Sequence, residues 1–339
     1  MAIYRSKPTA TPRALRSAIR EFASLGSVLT CQDAVRGSFR GWPVSCIASI
    51  AVSDGPRACN LCGNTGYSAL FTESPTPGLV FTLLECKSCG LIATDPLPDD
   101  EYLEALYSAD SYEESTASGR YCLDEQVSSA DFTPVLHQLE RVVAGRRLLD
   151  VGCGVGMFIS AALERGWDAF GVEPSGYAGD VAAAKHGPRV EQSYLADSSF
   201  EPASFDALCL WYVMEHVADP TGLLEACHRY LKPGGVVFIA VPNARYVRAK
   251  RRVVLMATRK APSVHPHEHL FHYEPRHVKR LLLKTGYQPL NQEVASPFMM
   301  PGSKANVPKR IAKAGATLLF RATGVNVAGI LMYATASEG

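Results

Sequence analysis

The chain has 339 residues, 47% hydrophobic and 20% charged, with a formal net charge of +1. That length suits about two domains, each able to bury a core. Near-neutral charge gives no global attraction to nucleic acid or acidic membranes, and no run of eighteen apolar residues is present to span a bilayer.

Residues 1–54 differ from the rest. Arg5, Lys7, Arg13, Arg16, Arg20, Arg36 and Arg40 stand against Glu21 and Asp33. This predicts a disordered basic arm or an extension upstream of the folded protein, with a transit signal as the alternative. Residues 55–100 hold two CxxC pairs, Cys59 with Cys62 and Cys86 with Cys89, out of ten cysteines in all. The other six are scattered. The pattern reads as metal ligation in a reducing compartment, the cytoplasm, rather than as a disulfide framework. Pro75, Pro77 and Gly78 predict a turn between the pairs, and Leu79 to Leu84 a strand. Asp99 or Asp100 is placed to cap a short helix reaching Leu106 and Tyr107. Residues 101–131 are polar and read as a linker or cover.

A main domain is expected over 132–339, entered by a helix at 132–144. From 147 onward strand and helix patterns alternate, which predicts a parallel α/β sheet. Strands fit at 147–151, 168–173, 205–211 and 235–241. Helices fit at 156–166, 176–187, 220–231 and 275–285, the last opened by Pro275 and stopped by Gly286. A helix-like segment lies near 308–322. The final apolar run, Ala328 to Ala334, is expected to join the sheet edge. No internal repeat is visible.

The stretch LLDVGCGVGMFI at 148–159 places Gly152, Gly154 and Gly156 at the end of a strand. The dinucleotide fingerprint is GxGxxG, but here the third glycine comes one residue early, with Met157 in its usual place. That spacing favours S-adenosylmethionine (SAM), because glycine lets the backbone approach the ligand closely. A tight turn without a ligand is the alternative. Glu173 ends the next strand, where a carboxylate can accept from two ribose hydroxyls. Asp197 precedes the strand at 205–211 and could accept from the adenine amine, or be an ordinary turn residue. LeuLysProGlyGly at 231–235 closes a helix and restarts a strand.

In this order, Leu148–Gly156, Glu173, Asp197, PheAsp at 205–206, MetGluHisVal at 214–217 and LeuLysProGlyGly at 231–235 resemble the class I SAM-dependent methyltransferases. The resemblance covers roughly 135–295. It implies a Rossmann-like, seven-stranded, mostly parallel sheet with a terminal antiparallel hairpin. It also implies that Asp150 and the glycine loop flank the amino-acid part of SAM, Glu173 the ribose and Asp197 the adenine.

Cys59-x2-Cys62-x23-Cys86-x2-Cys89 has the form of a four-thiolate zinc ribbon, with Gly63 and Gly90 after each pair where a knuckle needs bare backbone. Four thiolates would close the coordination of Zn2+, making it structural. The cysteine pairs, AspProLeuPro and LeuTyrSerAlaAspSerTyr together resemble the front end of small-molecule methyltransferases from polysaccharide and natural-product pathways. That extends the likeness to about 55–295. The carbon-methylating deoxysugar enzymes sharing this front end carry a further large C-terminal domain, for which this chain stops too early, so sugar C-methylation is disfavoured. Transfer to a hydroxyl of a sugar or natural-product intermediate is the expected reaction.

A hydroxyl acceptor needs its proton removed, a task for histidine. His216, just beyond the strand at 205–211, is the first candidate. Ubiquinone-type O-methyltransferases look similar around GluHisVal. Some bind a divalent ion through an extra acid three residues before the Glu, where this chain has Tyr212. His269 is the second candidate, in HisProHisGluHisLeuPheHisTyr at 265–273, a segment resembling one that closes over the acceptor. Tyr273 would line the pocket with it. His265, Glu268 and His269 also match the HxxEH peptidase spacing, but Pro266 opposes the required helix. A clustered-histidine metal site, or local capping and packing, are the other readings.

Arg245, Arg248, Lys250, Arg251, Arg252, Arg259 and Lys260 form a basic segment without acids. It predicts a solvated helical face, or a border for an anionic or carrier-bound small-molecule acceptor or a membrane surface. An RNA methyltransferase and a non-catalytic SAM-fold scaffold remain alternative functions. No nucleic-acid partner is expected at this net charge.

Overall fold

A computed structural model describes residues 57–76, 79–98, 102–103, 106, 132–259, 263–290 and 329–337. The expected arm at 1–54, the Pro77–Gly78 turn, the capping aspartates Asp99 and Asp100, nearly all of the linker and the helix near 308–322 lie outside the described residues.

The cysteine region forms a hairpin of β1 (Tyr67–Thr76) and β2 (Leu79–Cys86), followed by β3 (Ile92–Asp95). The main domain opens with α1 (Thr133–Val142) and continues β4 (Arg147–Val151), α2 (Met157–Glu164), β5 (Asp168–Val172), α3 (Gly176–His186) and β6 (Val190–Glu191). It then runs β7 (Phe205–Trp211), α4 (Pro220–Tyr230), β8 (Leu231–Pro242), α5 (Ala244–Thr258), β9 (Phe271–His272), α6 (Pro275–Lys284), β10 (Tyr287–Pro289) and β11 (Gly329–Ala336).

Seven strands make one sheet in the order β10-β11-β8-β7-β4-β5-β6. β4, β5, β6, β7 and β8 are parallel, and β11 runs antiparallel to both neighbours. The final apolar run is therefore a strand, as expected, but it sits one place in from the edge. β10 takes the edge, and the burial of Ile330, Leu331, Tyr333 and Ala334 fits a strand covered on both sides. The central strands read as nearly continuous apolar runs because helices cover both faces. Alternate residues divide between two cores: Leu149, Leu208, Leu210, Val237 and Ile239 face one way, Leu148, Ala207, Cys209, Val236 and Phe238 the other.

The first of these cores also contains Cys59, Leu61, Phe81, Cys86 and Leu91 from the cysteine region. Its four-stranded antiparallel sheet, β1-β2-β3-β9, borrows the last strand from the histidine-rich segment, with Ile92 opposite His272 and Ala93 opposite Phe271. Among the described residues, no helix is long and apolar enough to cross a membrane.

Candidate active site

β4 ends in a loop where Gly152, Gly154 and Gly156 have φ of +72°, +54° and +77°. L side chains rarely adopt that region, which explains three glycines in five residues. The positions differ in their surroundings. A Cβ on Gly156 would fall 2.6 Å from His186 Cδ2 on α3, whereas nothing stands within 4 Å of one on Gly154. Gly156 is thus closed by the protein, and Gly154 faces open space.

Backbone amides pin the loop to the next strand. Gly152 and Cys153 both donate to the Val172 carbonyl. Gly154 N donates to Glu173 Oε2 at 2.8 Å, and Ser175 N to Glu173 Oε1 at 2.9 Å. Glu173 is fully buried, and burial pushes its carboxyl up to about 7 against the pull of those two amides. Asp150 is also buried; desolvation first, and then the Glu173 charge, raise it well above the carboxylate range. Its Oδ1 has no hydrogen-bond partner among the described residues. A buried acceptor of that kind calls for a donor from outside the chain. Two acids beside an open glycine loop suit a ligand bearing an ammonium, a sulfonium and ribose hydroxyls. Asp197 is an exposed residue on the short turn Leu195–Asp197 after β6.

At the same carboxyl edge, Tyr212 turns the chain at φ +53° beyond β7 into a short turn, Met214–His216. His216 is buried, with Nδ1 2.8 Å from the Glu268 carbonyl. A carbonyl only accepts, so Nδ1 carries the hydrogen and Nε2 is the basic nitrogen. Glu215 Oε1 lies 3.8 Å from that Nε2, and burial pushes the Glu215 carboxyl up to about 8. The His269 ring stands 4.9 Å from the His216 ring at 70°. Burial, and then the neighbouring His269, hold His216 well below the usual imidazole range; burial brings His269 down to about 4. Both are neutral proton acceptors at pH 7. The structure therefore brings the two candidate bases together from different parts of the chain.

Tyr273 does not line an open pocket. It is fully buried, and its hydroxyl donates to the Met214 carbonyl. Glu215 is the residue whose part the motif alone did not reveal; the signal was a carboxylate between apolar Met214 and Val217. HisProHisGluHis forms a turn, in keeping with Pro266, with Glu268 N and His269 N both donating to the His265 carbonyl. Against desolvation, the hydrogen bond from His267 and the surrounding histidines hold Glu268 at about 2.

The cysteine region grips this segment. Thr94 N donates to the Leu270 carbonyl at 2.9 Å and Thr94 Oγ1 to the His269 carbonyl at 3.1 Å. Glu73 Oε2 accepts from Ser263 Oγ and Val264 N. The four cysteines converge, with Cys59 Sγ to Cys89 Sγ and Cys62 Sγ to Cys86 Sγ both 3.6 Å and all four sulfurs within 4.8 Å. Sulfur–sulfur edges around a tetrahedral thiolate ion are about 3.8 Å, so this donor set fits one. Burial opposes ionisation of Cys62, yet the Asn64 amide and neighbouring thiols bring it to about 7. Knuckle turns close through Gly63 N to Cys59 O and Gly90 N to Cys86 O. Asn60, within the first pair, donates to Asp219, the N-cap of α4, and accepts from Thr221 on α4, and its carbonyl accepts from Lys284 on α6.

The basic segment forms α5, and the solvated face expected of it is only partial. Arg251 pairs with Glu73 at 2.7 Å and stacks 4.0 Å over Phe71. Arg248 pairs with Glu85, and Arg245 with Glu274. These arginines fasten the helix to the cysteine region and to α6, because acids distant in sequence meet them there. Arg252 and Arg259 are exposed, and Lys260 lies outside the described residues.

Residues 124–292 match a family model described as a methyltransferase domain. The chain is 34% identical over 131 residues to a ubiquinone biosynthesis O-methyltransferase of Paraburkholderia phymatum, covering 34% of this chain and 56% of that one. It is 36% identical over 105 residues to the protein of the same name from Idiomarina loihiensis, covering 29% and 43%. The chain thus spans about half the length of the curated relatives it matches. A SAM-dependent methyltransferase structure from Mesorhizobium loti is 19% identical, with a TM-score of 0.43, covering 62% of this chain and 99% of that one. With the family match falling on the glycine loop and its parallel sheet, the chain carries a methyltransferase domain of the class I, SAM-dependent type.

Proposed function

We propose that this protein transfers a methyl group from SAM to a hydroxyl of a small-molecule acceptor, and that Cys59, Cys62, Cys86 and Cys89 hold a structural zinc ion. The juxtaposition of His216 with His269 at the carboxyl edge that bears the glycine loop carries the reading. Asp150 would receive the ammonium of SAM, the open Gly154 backbone its carboxylate end, Glu173 the ribose and Asp197 the adenine. Bound SAM supplies an electrophilic methyl carbon on its sulfonium. The chain's part is to align the acceptor oxygen, keep water out and take up a proton. His216 Nε2, or His269, would take that proton. Glu215, 3.8 Å from Nε2, holds its own proton near neutrality and would favour the imidazolium only where its carboxyl ionises, above about pH 8.

The names of the relatives point to oxygen-directed transfer on a small molecule. A sugar or natural-product hydroxyl, and an anionic or carrier-bound acceptor, are the finer proposals, with Arg252 and Arg259 as the exposed cations that would meet an anion. A nucleic-acid acceptor is disfavoured, because α5 spends three arginines on protein acids. The test is transfer from methyl-labelled SAM into a metabolite extract, with total RNA as a parallel substrate. Label in an organic-extractable or sugar-bearing product supports the proposal. Label in RNA alone, or no turnover despite SAM binding, refutes it.

A further inference from the structure

The side chains of His265, His267 and Glu268 belong neither to the glycine loop nor to the proton-accepting pair, although the Glu268 carbonyl accepts from His216 Nδ1. Their ligand atoms, one from each, all lie within 4.8 Å of one another. His267 Nε2 is 3.2 Å from Glu268 Oε1. Two ligand atoms bound to one tetrahedral zinc-class ion at about 2.1 Å stand about 3.4 Å apart, so this pair already has a coordination edge. We propose that His265, His267 and Glu268 form a second metal site, for a divalent transition ion of the zinc class, on the segment beside His269.

The local backbone is built to converge these side chains. Pro266 blocks a helix, and His265 sits at φ +54°, where a non-glycine residue is strained. The turn is closed by the hydrogen bonds of Glu268 N and His269 N to the His265 carbonyl. Both ends of the segment are tied to the cysteine region, Val264 through Glu73 and His269 through Thr94. The His267 ring packs near Phe81 of β2, with centroids 6.4 Å apart. Outer contacts of this kind hold metal ligands in place.

The donor set also selects the ion. Two imidazoles and one carboxylate suit zinc, cobalt, iron or manganese over calcium and magnesium, which prefer oxygen alone. Three protein ligands leave a coordination position for water or another oxygen, unlike the four-thiolate set. The His265 and His269 rings are 6.3 Å apart, so the site adjoins the candidate acceptor region without sharing a ligand with it. The same geometry without an ion would be a simple His267–Glu268 side-chain contact.

The test counts metal. The full chain is stripped with chelator, reloaded with excess zinc or cobalt(II), desalted and analysed. Wild type is expected to retain two ions per chain, while His265→Ala and Glu268→Gln each retain one. In the cobalt-loaded variants the thiolate-to-cobalt charge-transfer band should persist, showing that the cysteine site and its fold survive. His216→Gln should keep both ions. Retention of a single ion by wild type overturns the proposal without any variant. So does a second ion that survives in both His265→Ala and Glu268→Gln, or that is lost in His216→Gln, because it then lies elsewhere.

Discussion

SAM affinity should depend on pH through Glu173. The side chain is fully buried, and its carboxyl is pushed up to about 7. Ribose hydroxyls donate hydrogen bonds, so the ionised carboxylate is the form that receives them best. At pH 6 about nine in ten of these carboxyls hold a proton, and expelling it weakens binding about tenfold relative to pH 8. Charge-assisted hydrogen bonds contribute roughly 1.5–3 kcal/mol, so Glu173→Gln should weaken binding about 10- to 150-fold at pH 8. The variant should also flatten the profile below neutrality. Isothermal calorimetry across this range, in buffers of different ionisation enthalpy, measures both the affinity and the proton released by wild type. A flat wild-type profile refutes the reasoning. A slope that persists unchanged in Glu173→Gln refutes it too, and assigns the titration to Asp150. The sign for the unliganded fold is opposite. Its native carboxyl holds a proton that the unfolded chain has released, so stability falls as pH rises from the ordinary glutamate range to about 7.

Gly156→Ala should lower stability more than Gly154→Ala. Both place alanine in the left-handed region at about 1–2 kcal/mol, but only the first meets His186; equal denaturation midpoints would contradict this. Removing metal from the cysteine cluster should raise hydrogen exchange at Phe271 and His272 as well as at Cys59–Asp95, because β3 carries β9. Protection retained throughout Phe271 and His272 in the chelated protein would separate the two regions. If the acceptor is a hydroxyl, His216→Gln should cut turnover about 10²–10⁴-fold with SAM affinity near wild type. Should His216→Gln keep its rate while His269→Ala loses it, the base is His269.

Much of the main domain is legible along the chain because its signals are local. Apolar runs separated by amphipathic helices specify parallel strands, and three glycines in five residues specify a left-handed turn whatever surrounds it. The paired CxxC spacing likewise anticipates four converging sulfurs. Contacts between distant segments are not written in such patterns. β11 could be read as a strand from Ile330 to Ala334, yet its place inside the edge follows from β10 pairing beyond it. The arginines of α5 look solvated until β1 and β2 bring Glu73 and Glu85 to them. Tyr273 looks like a pocket residue until the fold buries it under Met214. Burial likewise decides that Glu173 and Glu215 hold protons near neutrality and that His216 does not, since desolvation depends on every atom packed around a charge. Local sequence sets backbone preference over a few residues. The meeting of the cysteine region with the histidine segment needs the whole chain closed, because the strand that joins them comes from about 180 positions away.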